Sequence, residues 1–147
     1  MQLNNFAHIL VSNQKTMSYY FNTTVKNTSF DATIERVTEE LKKEGFGILT
    51  DIDVSQTLKK KIDVDFKKYR ILGACNPQFA YEALQSEDKV GVFLPCNVIV
   101  EEHENGEIEV SAVDPIASMS SIQNEELPVV AKQVQQKLKN VIKNMHE

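Results

Sequence analysis

Hydrophobic positions repeat with two different periods along this chain, and the switches between them mark its elements. Tyr19, Phe21, Thr23 and Val25 alternate with Asn22, Thr24 and Lys26, which predicts a half-buried strand over 19–26. Phe30, Ile34, Val37 and Leu41 then follow at helical spacing. Ser29 is placed to cap that helix, Asp31 favours its first turn, and Gly45 ends it as a left-handed residue with Phe46 folding back. Phe46, Ile48, Thr50, Ile52 and Val54 alternate as a second strand, with Asp51 and Asp53 on its other face. Asp53 or Ser55 is suited to cap a short helix through Leu58 and Ile62, and 63–68 reads as a loop anchored by Val64 and Phe66.

In the third strand, Tyr69, Ile71, Gly73 and Cys75 share one face, and Leu72 and Ala74 the other. Apolar residues on both sides imply a central strand. Asn76-Pro77 starts a helix, with Asn as the cap and Pro at the first position, where a missing N–H costs nothing. Phe79, Ala80, Ala83 and Leu84 form its inward face before the stop at Ser86-Glu87-Asp88. A fourth strand is predicted over 91–102 and a fifth over 107–113. A two-residue turn between them would put Val98 and Val100 on the same face as Glu109 and Ser111. A three-residue loop with Gly106 left-handed instead pairs Val100 with Val110 and Val98 with Ala112. Because a buried face holds register, the three-residue loop is the expectation, and it places Cys96 on the buried face. Asp114-Pro115 breaks the fifth strand, and a Ser-rich crossing follows over 116–123. The last helix carries Leu127, Val130, Ala131, Val134, Leu138, Val141, Ile142 and Met145 at steps of three and four, with Pro128 in its first turn.

This order predicts a two-layer α+β domain: a mostly antiparallel five-stranded sheet covered by helices, the long C-terminal one included. Residues 18–147 form a single domain, and 1–17 are expected to be an N-terminal arm or extension, with Met17 a possible alternative start. The apolar patch from Phe6 to Val11 is short, is broken by His8 and lacks a basic flank, so it is read as neither a signal peptide nor a membrane span.

Composition narrows the function. A 41% hydrophobic and 25% charged chain of 147 residues is that of a soluble globular domain. With 16 basic against 21 acidic residues the net charge is −5, which opposes nucleic-acid binding in general. Two cysteines without a secretory leader lead to the expectation of a reducing cytoplasm, with no membrane partner.

Both cysteines fall in breaks of apolar runs, Cys75-Asn76-Pro77 and Pro95-Cys96-Asn97. Cys75 precedes a helix N-terminus, an environment that favours the thiolate. A dithiol redox pair with Cys75 as nucleophile is one reading, a soft-metal site for Cu(I) or Zn a second, and two small buried hydrophobes a third. Asn76 and Asn97 are structural caps or an anion cradle. Asp53, Glu82 and Asp114 are candidate bases or ligands that also suit capping or surface roles. Lys59-Lys60-Lys61 with Lys67, Lys68 and Arg70 is the main basic concentration, a lysine face or a phosphate-recruiting patch. His8, His103 and His146 read as isolated and exposed. No recognised motif calls for a cofactor.

The segments LGACNPQFAYEALQSE, VGVFLPCNVIV and VDP, with GFGILTDIDV upstream, resemble the bacterial and archaeal family known as domain of unknown function 302, over roughly 18–145. The resemblance implies a fold similar to the TATA-box-binding-protein superfold, with one curved antiparallel sheet and helices on one side, and it makes a homodimer plausible. It supplies no activity. Many members carry Gly-Asn-Pro where this chain has Cys75-Asn76-Pro77, so the resemblance assigns the thiols to a cysteine-containing subfamily. The leading expectation is a pocket near Cys75, Asn76 and Cys96, bordered by Pro77 and Asn97, that binds a small molecule or a soft metal. A thiol-dependent redox enzyme and a non-catalytic interaction module are the alternatives.

Overall fold

The computed structural model describes residues 18–146, so the N-terminal arm expected over 1–17 lies outside the described residues. Strands β1 (Tyr20–Val25), β2 (Gly47–Asp53), β3 (Tyr69–Cys75), β4 (Cys96–Glu102) and β5 (Ile108–Val113) form one sheet in the order β1-β5-β4-β3-β2. Every pairing is antiparallel. Helices α1 (Phe30–Lys43), α2 (Val54–Ile62), α3 (Pro77–Ser86), α4 (Pro115–Ser118) and α5 (Leu127–Met145) complete the two-layer α+β domain, with a 3-10 helix over Asp88–Phe93.

One sheet face is dry. Leu72, Ala74, Cys96, Val98, Val100, Ile108, Val110 and Ala112 are buried against Val37 and Leu41 of α1 and Val134, Leu138 and Val141 of α5. All eight positions that the helical spacing marks in the last helix are buried, while Val129, off that stripe, is exposed. At about 1.5–3 kcal/mol for each large side chain, that stripe is a principal source of the helix's stability. Local signals act with it. Ser29 Oγ accepts the Ala32 N–H at 3.1 Å, and the Phe46 and Gly45 amides donate to Leu41 and Lys42 carbonyls at 2.9 and 3.0 Å in a Schellman closure. The hairpin register pairs Val100 with Val110 and Val98 with Ala112, as a three-residue loop with Gly106 at φ +85° requires.

Several expectations need correction. Leu84, expected on the inward face of α3, is exposed. The fourth strand begins at Cys96, not at 91. Residues 88–93 close into a 3-10 helix, Val92 is 81% exposed, and the Leu94–Pro95 peptide is cis. Pro95 lacks the N–H that a ladder needs, so pairing starts one residue later. The second strand is not one continuous alternation either. Its pairing with β3 slips between Ile48 and Thr50, so Ile48 stays with the core face while Thr50 and Ile52 turn to the uncovered face. One extra residue reverses every side chain after it. Finally, Asn76 gives its helix no side-chain cap.

Candidate functional site

The two breaks in the apolar strands meet. Ala74 pairs with Cys96 and Gly73 with Asn97, which sets the Cys75-Asn76-Pro77 break beside Pro95-Cys96. The approach depends on Gly73. A Cβ there would lie 2.8 Å from Pro95 Cγ and 2.1 Å from Thr50 Oγ1, so only glycine lets the ring and the hydroxyl close over the strand. Asn76 makes the second link. Its Nδ2 donates to the Glu44 carbonyl at 3.3 Å and packs over Gly45, whose φ of +87° and 2.9 Å clearance both favour glycine. The amide that the sequence assigned to a cap thus ties the end of α1 to the start of α3.

A narrow hollow lies between these breaks and the helices. Its walls are Phe46, Ala74, Cys75, Asn76, Leu94, Pro95 and Cys96 on the sheet side, and Phe79, Ala80, Ala83, Met119, Val130, Ala131 and Val134 on the helix side. About 40 Å³ is open to the centre of a water-sized sphere, room for a group of a few heavy atoms. Cys75 is half-buried and Cys96 buried, and both are free thiols. Because Cys96 faces Ala74, the cysteines are diagonal neighbours across the ladder, not a facing pair. Burial, and then Cys75 beside it, push the Cys96 thiol up to about 11, so it stays protonated at neutral pH.

The other candidates disperse. Pro77 borders a separate shallow recess with Gly45 and Lys137. Asn97 is exposed on the uncovered face. Asp53 caps α2, accepting the Gln56 amide at 2.9 Å, and Glu82 lies beside Gln85 and Glu126. Asp114 accepts from the Ile116 amide and from Gln135 Nε2, both at 3.0 Å. Much of the basic concentration is neutralised: Lys59 pairs with Asp63 and Asp65, Lys67 with Glu101, and Arg70 with Asp51.

A second grouping escaped the sequence reading. Glu101 faces Glu109 across β4 and β5, and His103 follows on the same side, so His103 is neither isolated nor fully exposed. His103 Nε2 lies 2.8 Å from Glu109 Oε1, Asn22 Nδ2 donates to Glu109 Oε2, and Lys67 Nζ donates to Glu101 Oε1 at 2.6 Å. Burial alone would raise Glu109. The hydrogen bonds from Asn22 and His103, with the charges of His103 and Lys67, outweigh it and hold that carboxyl below its ordinary value. The signal was present in the hairpin register, which already pairs residue 101 with 109 and puts 103 on the same face.

No helix among the described residues is long and apolar enough to cross a membrane. No curated protein matches the chain. It is similar to the crystal structure of an uncharacterised conserved DUF302 protein from Bacillus stearothermophilus, at 32% identity and a TM-score of 0.80, over 87% of this chain and 98% of that one. Residues 21–145 match the family described as Domain of unknown function DUF302, and the chain, with its paired breaks and long covering helix, belongs to that family.

Proposed function

We propose that this is a small-molecule-binding domain whose hollow takes an apolar group of a few heavy atoms, held against Cys75, Asn76 and Cys96. The supporting observation is the hollow itself, nearly all its walls apolar, with thiols and one amide as the polar points. A dithiol enzyme is less well supported. Cys96, the thiol that would have to pair with a Cys75 nucleophile, is buried and held up at about 11, so it stays protonated and poorly accessible at neutral pH. A closed zinc site is also less well supported, because the grouping of three His, Cys, Asp or Glu donors among the described residues contains neither cysteine.

The test is titration of isotopically labelled protein with benzene and with short linear alcohols, read from backbone amide shifts. Saturable shifts concentrated at 74–76, 83, 96 and 131 are expected. Absence of saturation at millimolar benzene, or shifts scattered over the uncovered sheet face, would refute the reading. Iodoacetamide at pH 8 should label Cys75 first and leave Cys96 intact in the folded protein. Equal rates at both would restore the redox alternative.

A further inference from the structure

The uncovered face of the sheet carries a second grouping of polar side chains, apart from the hollow. Its origin is the hairpin register. Glu101 and Glu109 stand directly opposite each other, an arrangement of like charges that destabilises an antiparallel pair and is offset here by His103, Asn22 and Lys67. The hairpin keeps its pairing one step further, with the His103 amide donating to the Glu107 carbonyl at 2.8 Å, so the imidazole emerges on the same side as the two carboxylates. One donor atom from each of Glu101, His103 and Glu109 lies within 4.8 Å of the other two, and all three side chains are half-buried.

We propose that Glu101, His103 and Glu109 form a binding site for a divalent transition-metal cation of zinc-like preference. One imidazole nitrogen and two carboxylate oxygens are a donor set of the kind that zinc accepts, whereas magnesium and calcium prefer oxygen alone. At metal–donor distances of about 2.0–2.2 Å, tetrahedral donors stand roughly 3.3–3.5 Å apart. Glu101 must close in from the present spacing and the 2.8 Å His103–Glu109 pair must open and give up its shared proton, changes that small rotations of the carboxylate ends, torsions that are soft, can supply.

The neighbours suit the role. Asn22 holds the second oxygen of Glu109, and Lys67 one oxygen of Glu101, leaving the other free to turn inward. Outer donors of this kind orient ligating carboxylates. A shallow groove lined by Tyr19, Tyr20, Tyr69 and Asn97 runs up to both glutamates, so the remaining coordination positions face solvent. That is the layout of an open site, with room for water or a further ligand, and not of a closed structural one.

The experiment uses the full chain, stripped with a chelator and dialysed, titrated calorimetrically with Zn²⁺ and then Mg²⁺, and with Co²⁺ followed by visible absorption. One Zn²⁺ per chain at micromolar affinity or tighter is expected, with no Mg²⁺ heat and no sulfur-to-cobalt charge-transfer band. His103→Gln and Glu109→Gln should each weaken Zn²⁺ at least 10-fold, and Asn22→Ala roughly 10-fold. Cys75→Ala and Cys96→Ala should leave it unchanged. Paramagnetic broadening of the His103 ring by Co²⁺ in the unsubstituted protein makes the same test without any variant. Failure to bind Zn²⁺ at 100 µM, binding that survives His103→Gln, or binding lost with the cysteines would overturn the proposal. The last result would move the metal to the hollow.

Discussion

Replacing Gly73 with alanine probes the contact on which the meeting of the two breaks depends. The added Cβ would stand 2.1 Å from Thr50 Oγ1 and 2.8 Å from Pro95 Cγ, both inside any tolerable carbon contact. Intrinsic strand preference favours alanine over glycine by roughly 0.5–1 kcal/mol, and this is all that opposes the clash. Overpacking at a well-filled site costs typically 1–3 kcal/mol. Thr50 can swing its hydroxyl away, but Pro95 is a ring fixed to the backbone beside Cys96, so the cost lies at the upper end and a net loss of about 2 kcal/mol is expected. For a chain of this size that corresponds to roughly 4–8 °C in Tm. Urea unfolding of the single variants and of Thr50→Ala/Gly73→Ala measures the coupling. Thr50→Ala removes the 2.1 Å contact and leaves Thr50 Cβ at an ordinary 3.4 Å, so the double variant should recover about 1 kcal/mol relative to additivity. A Gly73→Ala variant within 0.5 kcal/mol of the parent, or strict additivity with Thr50→Ala, would refute the idea that this glycine exists to admit Pro95.

Other perturbations follow from the same geometry. Burial favours the protonated Cys96 thiol, so its stabilisation is whole below the ordinary value of 9.0 and is lost as pH climbs to about 11. A difference of that size is worth roughly 3 kcal/mol, so unfolding free energy between pH 8.5 and 11 should fall more steeply for the parent than for Cys96→Ala. Parallel curves would refute it. Gly45→Ala must hold φ near +87° and pushes on Asn76, so a loss of about 2 kcal/mol by urea unfolding is expected. Asn76→Ala removes the hydrogen bond to Glu44 and should cost about 1 kcal/mol, with faster amide exchange at Gly45 and Phe46. Leu138→Ala, fully buried between α5 and the sheet, should cost 2–5 kcal/mol, and a smaller loss would show that the stripe collapses into the gap.

What the amino-acid order determined alone is whatever rests on local spacing. The eight buried apolar positions of α5 follow from a 3.6-residue period, the Schellman stop from Gly45, and the hairpin register from the need to keep Val98, Val100, Val110 and Ala112 on one dry face. The meeting of the two breaks, at Cys75-Asn76-Pro77 and Pro95-Cys96, was legible as two similar interruptions in neighbouring strands, but not a pairing of the two thiols. Events that depend on a partner far along the chain were not legible. The slip at Ile48/Thr50 answers to β3, and the late start of β4 to a proline that also roofs Gly73. Asn76 chose the Glu44 carbonyl, 32 residues away, over the cap its position suggested. A short amide can satisfy local or distant backbone equally well, and only packing decides which group is in reach. The same holds for Glu101, His103 and Glu109. Register aligned them, but Asn22 and Lys67, brought in from β1 and the loop before β3, are what hold two like charges and an imidazole together on an open sheet face.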